Sequence, residues 1–363
     1  MKKLLFAAHS LGLGGIETAL ITLLEELVKK EYEITLVLEK KEGIFLDTLN
    51  PKIKVIQYTP SNNPIILIRK MINFCKQLKF KLRYKNKFDF SAAYATYSLS
   101  NGFVARTASE NSALWVHLDY LTRNDNDEEK TKNYYKELKC EEFKQIVFVS
   151  KESRENFVKL FPDCKEKALY CNNLINGKKI IEKSEEEINE KKENIITFLN
   201  IGRHDEKQKR LTKLIEIAEK LKKDDLNFRI LFVGDGQDHN IYKDIVKSKQ
   251  LEDIIIFLGK KKNPYPYYKI SDCVVLTSDY EGYPVVFLES MILKKPIITT
   301  NVSDYEQIQG KFGIVTTKEI ESIYNAMKSF IKNGFELKEE FDYKKFNEEI
   351  IRKLEQIFWH NKS

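Results

Sequence analysis

The sequence predicts an α/β fold in two domains, each built on a parallel sheet. Three observations carry this. The 363 residues exceed one ordinary domain, and 42% of them are hydrophobic, enough for two buried cores. Short apolar runs recur along the chain, many leaving through Gly, Ser or Asn into a loop and then an amphipathic helical stretch. Between two such series lies residues 177–193, almost all Lys, Glu, Asn and Ser, which reads as a linker or a solvated helix. The boundaries read as a first domain over 1–176, the linker over 177–193 and a second domain over 194–340.

Residues 3–8 open the first domain as a buried strand. A secretory leader is excluded there, because His9 and Ser10 break the apolar run and Gly12, Gly14, Gly15 and Glu17 follow. No segment reaches the length of a membrane-spanning helix. Ser10–Glu17 is a glycine-rich turn. A helix over Thr18–Lys30 follows, with Ala19, Leu20, Leu23, Leu24 and Leu27 as its apolar stripe, and then a strand over Ile34–Leu38. This unit is Rossmann-like. It is no dinucleotide fingerprint, because Glu17 stands where the third glycine belongs.

Residues 64–88 contain no Asp or Glu. They carry Arg69, Lys70, Lys76, Lys79, Lys81, Arg83, Lys85 and Lys87, interleaved with Ile65, Ile66, Ile68, Met71, Phe74, Leu78 and Leu82. Two readings fit. One is a basic amphipathic helix lying on an anionic membrane surface. The other is a helix with its apolar side in the core and its lysines in water.

Strands are expected at Phe90–Ala95, at Ala113–His117 and at Gln145–Ser150, where Ser150 caps a helix over Lys151–Leu160. Asp125-Asn126-Asp127 sits in a polar run without a preceding strand and reads as solvated loop, not a metal site. A last strand over 167–171 leaves through Asn172 and Asn173.

The second domain repeats the pattern. A strand over Ile195–Ile201 ends in Gly202-Arg203, ahead of a helix over Leu211–Lys223. Phe228–Val233 leaves through Gly234-Asp235-Gly236, and Ile254–Leu258 through Gly259-Lys260. Cys273–Leu276 ends in Thr277-Ser278, then the loop of Glu281, Gly282, Tyr283 and Pro284, then a helix over Val285–Leu293. A strand over Lys295–Thr300, a helix over Glu319–Lys332 and an amphipathic segment over Tyr343–Trp359 complete the chain.

The strand-loop-helix around Glu281 describes the carboxyl edge of a parallel sheet, where α/β folds bind ligands. Glu281 and Glu289 stand there with seven residues between them. Amides at a helix start donate to anions, and carboxylates accept from hydroxyls, so the pair suits a sugar nucleotide. The net charge of +7 permits contact with phosphates or anionic lipid without demanding nucleic acid. The five cysteines form no Cys-x-x-Cys pair, which argues against zinc and disulfides and for a reducing cytoplasm.

The Glu281-Gly282-x-Pro284-x4-Glu289 core, with the Gly14-Gly15 loop and Gly202-Arg203 in the same order along the chain, resembles family 4 retaining glycosyltransferases. The resemblance implies the GT-B fold: two Rossmann-like domains facing each other across a cleft, with the terminal segment 341–363 crossing back to the first. It implies that Gly14 and Gly15 lie against the donor phosphates. Arg203 and a lysine would reach the diphosphate. The family's lysine position is Gln208 here, so Lys207 or Lys209 serves, and Lys209 is favoured because a Lys-Arg-Leu helix start follows it. The exits at Gly234, Gly259 and Lys260 would surround the base. Gly282, Tyr283, Pro284 and Val285 would line the donor site. Glu289 would hold the ribose, Glu281 the sugar, and His117 the sugar on its acceptor side. No metal or other cofactor is implied; the nucleotide sugar is a co-substrate.

The implied function is transfer of a hexose or N-acetylhexosamine, UDP-linked, to a glycan or lipid-linked acceptor in bacterial surface polysaccharide synthesis. The implied place is the cytoplasm, peripheral at the inner face of the membrane through residues 65–88. The alternatives are a nucleotide-sugar epimerase of the same fold and a non-catalytic nucleotide-sugar-binding partner subunit.

Overall fold

The computed structural model describes residues 1–12 and 14–359. Leu13 of the glycine turn and residues 360–363 of the terminal segment lie outside the described residues. The chain divides into two compact units: one takes residues 1–175 and 346 onward, the other residues 176–345.

The first unit holds seven strands: β1 (Lys3–Ala8), β2 (Glu33–Leu38), β3 (Lys54–Gln57), β4 (Phe90–Ala93), β5 (Ser112–Val116), β6 (Gln145–Phe148) and β7 (Ala168–Tyr170). They are ordered β3-β2-β1-β4-β5-β6-β7, and every pairing is parallel. Leu4 to Ala8 are buried without alternation, because both faces of a parallel sheet are covered by helices. The strand order reverses between β1 and β4. The loops leaving those two strands therefore diverge, and a crevice opens at their carboxyl ends.

The terminal helix Tyr343–Trp359 packs on this first unit. The Phe358 ring lies 4.6 Å from Phe90 and 6.4 Å from Phe6. Its last carbonyls are satisfied by side chains: Asn111 Nδ2 donates to Phe358 O at 2.8 Å, and Gln145 Nε2 to Ile357 O at 2.8 Å.

The second unit holds β8 (Ile196–Ile201), β9 (Phe228–Val233), β10 (Ile255–Gly259), β11 (Cys273–Leu276), β12 (Ile297–Thr300) and β13 (Gly313–Thr316). The order is β10-β9-β8-β11-β12-β13, again all parallel. Its reversal falls between β8 and β11. The core joins helix Leu211–Lys223, through Leu214, Ile215, Ala218 and Leu221, to Phe198, Ile230 and Phe232 of the sheet.

Several expectations need correction. The first helix starts at Gly15, not Thr18, with Gly14 as its N-cap. The edge strands β3 and β13 are absent from the sequence reading, because each is a four-residue segment with half-buried positions and gives no long apolar run. The polar run around Asp125 is not all loop: helices cover Tyr120–Arg123 and Glu128–Glu137, and Asp127 Oδ1 caps the second by accepting from Lys130 N at 2.9 Å. Residues 177–184 form a helix with Ile180 and Ser184 buried in the second unit, so only the stretch after it is irregular. Helix Ile66–Tyr84 buries only Phe80; Leu67, Met71, Phe74 and Leu82 stay exposed. A basic helix with its apolar side in the core is therefore not what the fold builds.

Candidate functional site

The crevice between β8 and β11 gathers the charged residues of the second unit. β8 delivers Gly202, Arg203 and His204. A short helical turn over Glu206–Lys209 and Arg210, at φ 53°, then aim the chain into helix Leu211–Lys223. β11 delivers Thr277 and Ser278 and the loop beyond. Thr277 Oγ1 donates to Lys209 O at 2.8 Å, and Asp279 N–H donates to Gln208 O at 2.9 Å, tying the two exits together.

Glu281 is 7% exposed and fully engaged. Its Oε1 accepts from Lys209 Nζ at 2.5 Å and from Ser278 Oγ at 2.7 Å. Its Oε2 accepts from Gln208 Nε2 at 3.1 Å. The side-chain Oε1 of Gln208 in turn accepts from Arg203 Nη2 at 3.2 Å. Arg203 otherwise projects outward, and Lys207 is exposed. Asp279 pairs with Arg210 and Lys213, each at 2.8 Å, so Glu281 does not compete for those cations.

Gly282, Tyr283 and Pro284 are buried beside Glu281. Gly282 O accepts from Ser303 Oγ. Pro284 is the N-cap of helix Val285–Ile292, and no side chain caps that start. Amides there face the crevice end of the helix, as anion binding requires. Glu289 lies one turn inside and is 8% exposed. Tyr268 donates to its Oε2 at 2.7 Å, and Tyr265 hydrogen-bonds it as well. Burial holds its pKa above the ordinary carboxyl value, against the opposing pull of the two tyrosines.

Gly234 leaves β9 at φ 152°, and a Cβ there would lie 1.8 Å from Gly202 O. Only glycine lets the β8 and β9 exits approach this closely. Gly259 leaves β10 at φ 68°, and its carbonyl accepts from Gly234 N at 3.0 Å; Lys260 beyond it is exposed.

His204 is a residue the sequence reading passes over, because it sits in a run of charged residues. It is fully buried, with Nδ1 2.8 Å from His239 Nδ1 and the rings stacked at 4.9 Å. Burial, then the neighbouring His239, pushes its pKa down to about 4. The His204 ring is therefore neutral near pH 7, and one proton lies between the facing nitrogens.

In the first unit, Gly14 and Gly15 stand at the start of helix Gly15–Lys29, after β1. His117 follows β5. Its Nε2 is buried without a hydrogen-bonding partner, and the ring lies 4.8 Å from Tyr94. Burial lowers its pKa to about 4, against a hydrogen bond with the Tyr94 backbone. A second cluster emerges at the β1–β4 crevice. Glu39 Oε2 accepts from Ser98 Oγ at 2.6 Å and Ser100 Oγ at 2.9 Å, with His9 Nδ1 3.4 Å away. Burial raises the Glu39 pKa, but the two serines and His9 outweigh it and hold the group below its ordinary value. Glu39, Ser98 and Ser100 carry no motif; only the sheet order, which places β4 beside β1, joins them. Among the described residues, no group of three or more His, Cys, Asp and Glu side chains is placed to hold a metal ion.

Residues 180–348 match the family model described as glycosyl transferases group 1. The chain is 28% identical over 191 residues to an uncharacterized glycosyltransferase of Methanocaldococcus jannaschii, a match covering 47% of each chain. The chain thus spans about half the length of that relative. It is 26% identical over 345 residues to an N-acetylgalactosamine-N,N'-diacetylbacillosaminyl-diphospho-undecaprenol 4-alpha-N-acetylgalactosaminyltransferase of Campylobacter jejuni, covering 92% of this chain and 91% of that one. A crystal structure of Staphylococcus aureus TarM, in complex with fondaparinux, alpha-GlcNAc-glycerol and UDP, superposes with a TM-score of 0.76 at 13% identity, over 99% of this chain and 100% of that one. That likeness shows the GT-B type of two-domain fold. The domain match and the named relatives support a transferase enzyme of the glycosyltransferase class.

Proposed function

We propose that this chain is a retaining glycosyltransferase of the family 4 type, moving a hexose or N-acetylhexosamine from a UDP-linked donor to a glycan or lipid-linked acceptor of bacterial surface polysaccharide synthesis. The observation that carries the reading is the cluster at the β8–β11 crevice. One buried carboxylate, Glu281, sits among Lys209, Gln208 and Arg203, and a second, Glu289, lies one turn into an uncapped helix.

Each group has a task in breaking a sugar–diphosphate bond. Arg203 and Lys209 supply cations to the departing diphosphate, and the first amides of helix Val285–Ile292 supply neutral donors. Those cations do the neutralising that a metal ion does elsewhere, so the reaction proposed is metal-independent. Glu281 accepts from a hydroxyl of the sugar as charge builds at its anomeric carbon. Glu289 accepts from the ribose hydroxyls. His117 is neutral and presents Nε2 to a sugar hydroxyl. The UDP assignment draws on the UDP in the TarM complex, and the lipid-linked acceptor on the diphospho-undecaprenol in the Campylobacter relative's name.

The membrane part of the reading rests on helix Ile66–Tyr84. Leu67 and Leu82 are each 78% exposed, and the helix carries basic residues with no acid. Apolar side chains left in water beside a row of cations fit an anionic bilayer surface. Among the described residues, no helix is long and apolar enough to cross a membrane. The protein should pellet with vesicles containing phosphatidylglycerol and not with phosphatidylcholine alone. Equal pelleting with both, or with neither, ends this part.

A panel of nucleotide sugars scored for donor hydrolysis tests the reaction. Release of UDP from one of them, abolished by Glu281→Ala, is expected. No hydrolysis of any, with or without glycan acceptors, would overturn the reading.

A further inference from the structure

Lys209 is paired with Glu281 in the β8–β11 crevice. Lys209 Nζ lies 2.5 Å from Glu281 Oε1, and the two side chains are 18% and 8% exposed. The lysine stem runs beside Gly202 at the β8 exit, with Cε 3.4 Å from where a Cβ of residue 202 would stand. Resting on the donor-site reading above, we propose that Lys209 and Glu281 form a latch that the donor's diphosphate opens.

A diphosphate carries more negative charge than one carboxylate and draws the ammonium to itself. Glu281 then loses the Lys209 ammonium while still buried, which is costly. It does not lose its place. Ser278 Oγ at 2.7 Å and Gln208 Nε2 at 3.1 Å still hold one oxygen each, and Arg203 fixes Gln208 from the far side at 3.2 Å. What the carboxylate lacks is a donor in the lysine's former direction, and a sugar hydroxyl supplies one. The intact donor opens the latch and repairs the carboxylate in one event. The spent nucleotide opens it and leaves Glu281 short, so the latch favours donor over product and drives the nucleotide out after transfer.

The latch makes a counterintuitive prediction, because Glu281 opposes the binding of a sugarless nucleotide. By isothermal titration, Glu281→Gln and Glu281→Ala should each bind UDP at least about tenfold more tightly than wild type. Lys209→Met should bind UDP weakly, and adding Glu281→Gln in that background should change nothing further. Wild type that binds UDP, with both Glu281 variants folded by thermal melt and within about twofold of it or weaker, overturns the latch and leaves the donor-site reading standing. Wild type that binds GDP or ADP instead is taken through the same series with that nucleotide. Wild type that binds none of the three overturns the donor-site reading and the latch with it.

Discussion

The two sheets offer the same crevice, between β1 and β4 in one unit and between β8 and β11 in the other, and furnish it with different chemistry. In the second unit the buried carboxylate Glu281 meets a lysine, with an arginine one side chain further. In the first, the carboxylate Glu39 meets two serine hydroxyls, with the His9 ring at 3.4 Å. His117 adds a neutral ring with an unpartnered nitrogen. The fold sets where a ligand goes, and the side chains set which ligand it is. Fixed cations beside helix amides suit a diphosphate; hydroxyls and neutral imidazole suit a sugar or other hydroxylated molecule.

The sharpest way to break this contrast is to remove one carboxylate from each crevice. Glu281→Ala should lower kcat by about a thousandfold, the scale of a group that stabilises developing charge. Glu39→Ala should cost about tenfold at most, chiefly through KM for the acceptor. Steady-state kinetics with the donor found by the hydrolysis panel decides it; a larger loss from Glu39→Ala inverts the contrast. Next in size is Glu289→Ala. It should weaken UDP binding about tenfold, the scale of a hydrogen bond to a charged group, with a smaller change in kcat. Wild type should bind 2′,3′-dideoxy-UDP about as poorly as the variant binds UDP. If the variant still discriminates the dideoxy nucleotide, Glu289 does not read the ribose.

How much of this was legible beforehand differs between the same two units. The central strands and helix Leu211–Lys223 show in the sequence because burial on both sheet faces demands unbroken apolar runs and a stripe at helical spacing. Helix Ile66–Tyr84 has an apolar stripe too, yet Leu211, Leu214, Ile215, Ile217, Ala218 and Leu221 are buried in the one helix and only Phe80 in the other. Periodicity reports that a helix has an apolar face, not what covers it. Glu281 and Glu289 stand in a recognisable local pattern. Glu39, Ser98 and Ser100 do not, because residues 59 and 61 positions apart meet only through strand order. Gln208 was legible as a departure from the expected lysine, but its place between Arg203 and Glu281 needed the geometry of the turn at Glu206–Lys209.

The smallest effect separates the units by acid. His204 has a folded pKa of about 4, below the 6.5 of an unfolded histidine, so folding favours its neutral ring. Its stabilisation is complete above about pH 6.5 and is lost as pH falls towards 4. At pH 5 the loss is about 2 kcal/mol. Glu289 acts in the opposite sense in the same unit. Its raised pKa penalises the ionised form, so its effect on stability improves on acidification. His204→Phe removes the first term and keeps the second. Its second unit should therefore unfold at higher urea than wild type at pH 5, relative to the same comparison at pH 7. Both tryptophans, Trp115 and Trp359, lie in the first unit, whose own histidines, His9 and His117 among the described residues, are untouched by the change. Far-ultraviolet circular dichroism should show the shift and tryptophan fluorescence should not. A shift of equal size in both signals would mean that the units unfold as one and that the acid response is not divided between them.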